Sequence, residues 1–164
     1  MNTRITNVFA IAEEDVEQLI SEWDSVSGWL KAHLSTRWPA HRYEGELVLD
    51  NEKLVFTGRD IKEGKHSQLA ISLENITGIS IGFSTKIKDS IDPTFGIGGH
   101  WPFVVRHQRN SESQTIYFNT CSDNYPPHQD SNLRWYEVIQ EIVTERKCQD
   151  SRHPDHRVPA EVLR

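Results

Sequence analysis

Few residues of this chain stand in patterns that do chemistry. His153 and His156 lie three apart, and His100, His107, Cys121 and His128 are scattered elsewhere. A zinc site needs about four convergent ligands, and neither Cys-x-x-Cys nor His-Glu-x-x-His occurs to bring them together. The histidines read as surface residues, and no metal is expected. Phe95–His100 is the most glycine-dense run. A phosphate-cradling loop follows a strand and opens a helix; this one follows Pro93 and opens a strand at Trp101, so it reads as a loop and implies no nucleotide cofactor. Glu44 and Glu46 project from one strand face, about 7 Å apart. An acid–base pair needs one carboxyl desolvated so that the two pKa values separate, and an exposed strand face gives no such asymmetry. No Gly-x-Ser-x-Gly turn is present to activate a serine. Lys147 stands beside Cys148, but at a helix C-terminus, where the dipole disfavours a thiolate. No catalytic residue and no cofactor are expected, and the chain reads as a non-enzyme.

Binding chemistry is better represented. Lys62, Lys65 and His66, then Lys86 and Lys88, then Arg106, His107 and Arg109 form small cationic spots. Converged by a fold, they would suit an acidic peptide or headgroup; apart, they are solvated faces. Trp23 and Trp29 are six positions apart, too far round a helix to share one narrow stripe. One suits packing on its own domain and the other, Trp29, a partner or a second copy.

Composition limits these readings. The chain has 164 residues, 36% hydrophobic and 26% charged, with a formal charge of −6. That length suits one domain with some extension. Net acidity argues against a general binder of nucleic acid or anionic lipid. Two cysteines make no disulfide framework, and reduced thiols are expected. The Val8–Ala12 apolar run stops at Glu13, too short for a signal peptide, and no run approaches the roughly 20 apolar residues of a membrane span. A soluble, cytoplasmic protein is expected, in which Asn75-Ile-Thr77 is no glycosylation site.

The elements that position these residues follow from periodicity. Val16, Ile20, Trp23, Ser27, Leu30 and Leu34 step by three or four, one helix face, with Glu13, Glu14 and Asp15 at its dipole-favoured start. Trp38-Pro39 ends it. From Tyr43 the period becomes two. Tyr43–Leu49, a turn at Asp50–Glu52, and Leu54 with Phe56 read as a β-hairpin. Leu69, Ile71 and Leu73 continue the alternation, then Ile79, Ile81 and Phe83. Ile87 and Ile91 hint at a short strand; Trp101–Val105 and Ile116–Phe118 close the series. Trp135, Ile139, Ile142 and Val143 then mark an amphipathic helix to about Arg146, capped at Asp130 or Ser131. Such short, frequent strands predict a small antiparallel barrel or sandwich, mainly β with α. The division expected is a helical N-terminal extension over 1–40, a β-domain over 41–148 and a polar tail over 149–164.

Six or seven antiparallel strands followed by one amphipathic helix is an order that resembles pleckstrin-homology-like (PH-like) domains, closest to their GRAM and bacterial PH-like branch. Gly45-Glu46-Leu47-Val48-Leu49 with Lys53-Leu54-Val55-Phe56 resembles the opening hairpin of that group. Leu69–Ile76 resembles the segment leading into the fourth strand, and Ile116-Tyr117-Phe118 followed by Trp135 resembles the closing strand and its capping helix. The likeness covers roughly 43–146 and rests on hydrophobic spacing. It implies a β-barrel plugged by its last helix, acting as a binding or scaffolding module toward a protein partner or a homo-oligomer. The phosphoinositide motif is not met: Val55 stands two after Lys53, where a second cation belongs, and Glu44 and Glu46 repel phosphate. Lipid is therefore disfavoured. The rival reading is a small-molecule carrier or enzyme with a pocket at the barrel mouth, formed by His100, Trp101 and Glu46.

Overall fold

The computed structural model describes residues 3–23, 42–84, 101–120 and 129–152. Its first element corrects the expected domain division. Residues Thr3–Ala12 are a ten-residue strand, β1, hydrogen-bonded to a neighbour on each side. They belong to the β-domain and not to an extension outside it. The period-two signal was broken there by a bulge between Ile5 and Val8, with Asn7 in the left-handed region at φ 56°. The one inserted residue puts Ile5 and Val8 on the same face although they are three apart.

Helix α1 (Glu13–Trp23) follows directly, with its three carboxylates in the first turn as the sequence predicts. Strands β2 (Tyr43–Leu49) and β3 (Lys53–Asp60) form the expected hairpin. Its turn is closed by Asp50 Oδ1, which accepts from the Glu52 and Lys53 amides at 2.8 Å. Strand β4 (His66–Ser72) leads through a single 3-10 turn, Leu73–Asn75, into β5 (Ile76–Ile81). Strands β6 (Phe103–Arg109) and β7 (Glu112–Thr120) precede α2 (Gln129–Arg152). The Gly45–Leu49 hairpin is thus the second and third strands, not the opening pair. The strand suggested by Ile87 and Ile91 lies outside the described residues.

All neighbouring strands run antiparallel, in the order β4-β3-β2-β1-β7-β6-β5. The sheet folds over, so that its two halves share one core. Leu47, Leu54 and Ile71 from one half meet Phe103, Val105 and Phe118 from the other, and the rings of Phe56 and Phe118 lie 6.0 Å apart. Each large side chain buried there contributes about 1.5–3 kcal/mol. The fold line is readable in the backbone. Val8, just after the bulge, pairs with Gly45, and Gly45 with Gly58. A Cβ on Gly45 would stand 2.2 Å from the Thr57 carbonyl oxygen and 2.5 Å from the Gly58 Cα.

Helix α2 packs on β5, β6, β7 and the 3-10 turn. Trp135, Ile139 and Val143, four apart, enter the core, with Trp135 stacked on Phe103 at 6.4 Å. Asn132 fixes this end. Its Oδ1 accepts from the Thr120 amide and hydroxyl, both at 2.8 Å. Its Nδ2 donates to the Trp101 carbonyl at 2.9 Å and to Asn119 Oδ1 at 3.0 Å. A buried amide with all of these partners satisfied specifies the helix register as an apolar residue would not. No helix among the described residues is long and apolar enough to cross a membrane.

Two glycine substitutions separate crowding from backbone strain. Gly45→Ala meets backbone atoms that cannot retreat, and is expected to destabilise by about 2–3 kcal/mol. Gly64→Ala meets open space but must hold φ at +71°, for a loss of about 1 kcal/mol. Urea unfolding of the two variants checks the ranking.

Candidate functional site

The body is open where β1 ends, β4 and β7 begin and β6 finishes. A cleft of about 400 Å³ occupies this mouth. Its apolar lining is Ala10, Tyr43, Phe56, Leu69 and Ile116, and its rim carries Glu13, Glu14 and Glu17 of α1. It continues into a seam of about 490 Å³ between β4 and the β6–β7 turn. Gln68, Leu69 and Arg109 line both parts. The remaining walls carry mainly neutral hydrogen-bonding groups: Ser72 and Asn75 on one side, Gln108, Asn110 and Ser111 on the other. The turn is tight because Asn110 and Ser111 both take positive φ, 52° and 69°, the geometry of a two-residue I′ hairpin.

The rim is held by packing and charge together. On the outer face of the sheet, Val16 of α1 packs with Ile11, Val104 and Tyr117, and the Tyr117 hydroxyl donates to Glu13 Oε1 at 3.0 Å. Arg42 ties α1 to the turn after β3. Its guanidinium donates to Asp15 and, at 2.9 Å, to Asp60 Oδ2, with Glu63 3.7 Å away. These carboxylates, Asp15 first, raise its pKa above the ordinary arginine value. Asp60 is nearly buried because its other oxygen accepts from the Lys62 and Glu63 amides. Those bonds, with Arg42, hold its pKa below the ordinary carboxylate value.

The residues singled out in the sequence separate here. Arg109 lines the cleft. Lys62 and Lys65 lie in the turn after β3, where Lys65 pairs with Glu63 at 2.8 Å. Arg106 alternates with the inward Val105 and His107, and its Nη2 donates to Ser80 Oγ at 3.3 Å. Among the described residues the cationic spots therefore do not converge on the cleft. Glu46 pairs with Arg4 of β1. Trp101 gives its carbonyl to Asn132. The pocket expected from His100, Trp101 and Glu46 is not the cleft observed. Trp29, Lys86, Lys88 and His100 lie outside the described residues, as do the Phe95–His100 loop, Cys121, His128, His153 and His156. Cys148 is a free, exposed thiol. Among the described residues no group of three or more His, Cys, Asp or Glu is placed to hold a metal.

Sequence reasoning missed the mouth glutamates and the neutral seam. Glu13, Glu14 and Glu17 read as helix-start charges, and nothing in β4 announced an edge. The one available signal was that β4, His-Ser-Gln-Leu-Ala-Ile-Ser, carries no Lys, Arg, Asp or Glu.

His107 sits on the inner face of β6 beside the seam, 3% exposed, with Nε2 lacking a hydrogen-bond partner. Burial holds its pKa below the ordinary 6.5. As pH falls through about 6.5, the unfolded chain binds a proton that the folded chain resists. Stability is therefore full above that pH and declines below it. The urea midpoint is expected to drop from about pH 7.5 to about pH 5.5, and His107→Leu to flatten that drop.

No family model matches the chain, and no curated protein does. Among solved structures it is similar to the hSac2 domain from human phosphoinositide phosphatase Sac2. The two are 16% identical with a TM-score of 0.44, over 74% of this chain and 82% of that one.

Proposed function

We propose that the chain is a non-enzymatic, PH-like binding module, cytoplasmic, that holds a protein partner in the mouth-and-seam cleft. The observation that carries this reading is the construction of the cleft. One wall is an edge strand, β4, and the facing wall is the end of a hairpin lined with amides and hydroxyls. Neutral donors and acceptors of that kind suit a polypeptide, whose own polar groups are neutral amides. The PH-like part of the reading is supported by the strand succession, ending in a helix that packs on the last three strands.

The rival classes fare worse at the same place. A phosphoinositide headgroup needs several converging cations; the cleft offers Arg109 against Glu13, Glu14 and Glu17. A small-molecule carrier finds support in the apolar lining of the mouth, and its volume lies within the usual range of about 300–1,000 Å³ for ligand pockets. The polar seam continuing from it favours a longer occupant.

The test is the mass of the native complex recovered from cells. The wild type is expected to carry added protein mass, from a partner or a second copy. Gln68→Glu with Ala70→Glu, both exposed positions on β4, is expected to release it with an unchanged melting curve. A small-molecule adduct in place of protein overturns the reading in favour of the carrier, and a protein complex indifferent to the double substitution overturns the choice of cleft.

A further inference from the structure

The free side of β4 is defined by its bonded side. The Asp60 amide donates to the Lys65 carbonyl and the Leu73 amide to the Glu52 carbonyl, and β3 and β4 keep one register between these points. In an antiparallel ladder, hydrogen-bonded pairs alternate with non-bonded ones. The backbone groups of Ser67, Leu69 and Ile71 therefore face β3, and those of His66, Gln68, Ala70 and Ser72 face the cleft. Among the described residues β4 pairs with β3 alone.

Edge strands are normally guarded by lysine, proline, a bulge or a covering element. β4 has no charged side chain and no proline, and its register with β3 is unbroken. Among the described residues, what lies beside it is a cleft. Seven residues of strand extend about 23 Å, so the free edge runs from the mouth into the seam. The two ends of this track differ in charge. The mouth has three carboxylates, Glu13, Glu14 and Glu17. The seam is neutral apart from Arg109, which it shares with the mouth. Behind the seam, His107 is buried and its Nε2 has no hydrogen-bond partner.

We infer that β4 takes an extended polypeptide segment by strand addition, with a basic residue of that segment lying at the mouth against the α1 glutamates. This rests on the reading of the cleft as a protein-binding site and adds the mode and the chemistry of the partner. A folded second copy fits less well, because its own β6–β7 turn would stand beside its β4 where the two edges must meet.

The probes are two labelled nonapeptides with the same alternating Thr-Val sequence, one ending in Lys-Lys and the other in Glu-Glu, titrated by fluorescence anisotropy against the full chain. The lysine-ended peptide is expected to bind about three- to tenfold more tightly at low salt, and Glu14→Gln to shrink the difference. Ala70→Pro removes one cleft-facing N–H and leaves the β3 ladder intact, so it is expected to weaken both peptides without lowering the melting temperature appreciably. Gln68→Pro, equivalent in the ladder, serves if Ala70→Pro fails to fold. Binding unaffected by proline overturns strand addition, and equal affinity for the two peptides overturns the basic preference. If neither peptide binds while the native complex still depends on Gln68 and Ala70, this inference falls and the protein-binding reading stands. If that dependence is absent too, both fall.

Discussion

Two backbones approach so closely at Gly45 and Gly58 that neither position has room for a side chain. Every larger feature depends on that crossing. A seven-stranded antiparallel sheet with one apolar face must bury that face against something. This chain buries it against itself, by folding along a line that runs from the β1 bulge through Gly45 to Gly58. On either side of the line, Leu47, Leu54, Phe103 and Phe118 reach a common core. A Cβ at either position would meet the backbone of the neighbouring strand and strain the hairpin on which both core and cleft are built.

Folding over leaves two ends, and they are finished differently. At the α2 end the last polar backbone groups are met by Asn132, a neutral side chain that satisfies strand, loop and helix together. At the other end Arg42 joins α1 to the turn after β3 through carboxylates on both. This pins the rim without filling the space inside it. A partly exposed ion pair contributes little to stability, so Arg42 matters more for where it holds Glu13, Glu14 and Glu17 than for the energy it adds.

Much of the architecture was legible in the sequence because most strands keep a strict period of two. Tyr43–Leu49, Leu54–Phe56, Leu69–Ile71 and Phe103–Val105 show it directly, and Trp135, Ile139 and Val143 show the helix. β1 was illegible for a specific reason. Its bulge shifts the period at Asn7, and the short Val8–Ala12 run that remains resembles any apolar segment ahead of a helix. Phe83 continues the alternation of Ile79 and Ile81 in the sequence, but Gly82 takes φ 90° and Phe83 packs on the outer face against Tyr117, 5.2 Å away. The cleft was not legible. Pairing order, not composition, decides which strand is an edge, and Glu13 and Arg109 are almost a hundred positions apart in the chain. Charge spacing could suggest Arg109; it could not bring it opposite β4.

The place of β1 also has a meaning in time. It joins two three-stranded meanders, β2–β3–β4 and β5–β6–β7, and among the described residues no direct strand pairing links those meanders to each other. The first is built from short-range hairpin contacts and can organise early, whereas the contacts between β1 and β7 close a very long loop. The hydrogen bond from Tyr117 to Glu13 alone spans 104 positions. Loop closure of that length is slow to be rewarded, although its entropic penalty grows only logarithmically. The earliest-made strand is thus among the last to find all its partners, and until it does, the apolar faces of both meanders stay open to whatever else is in solution.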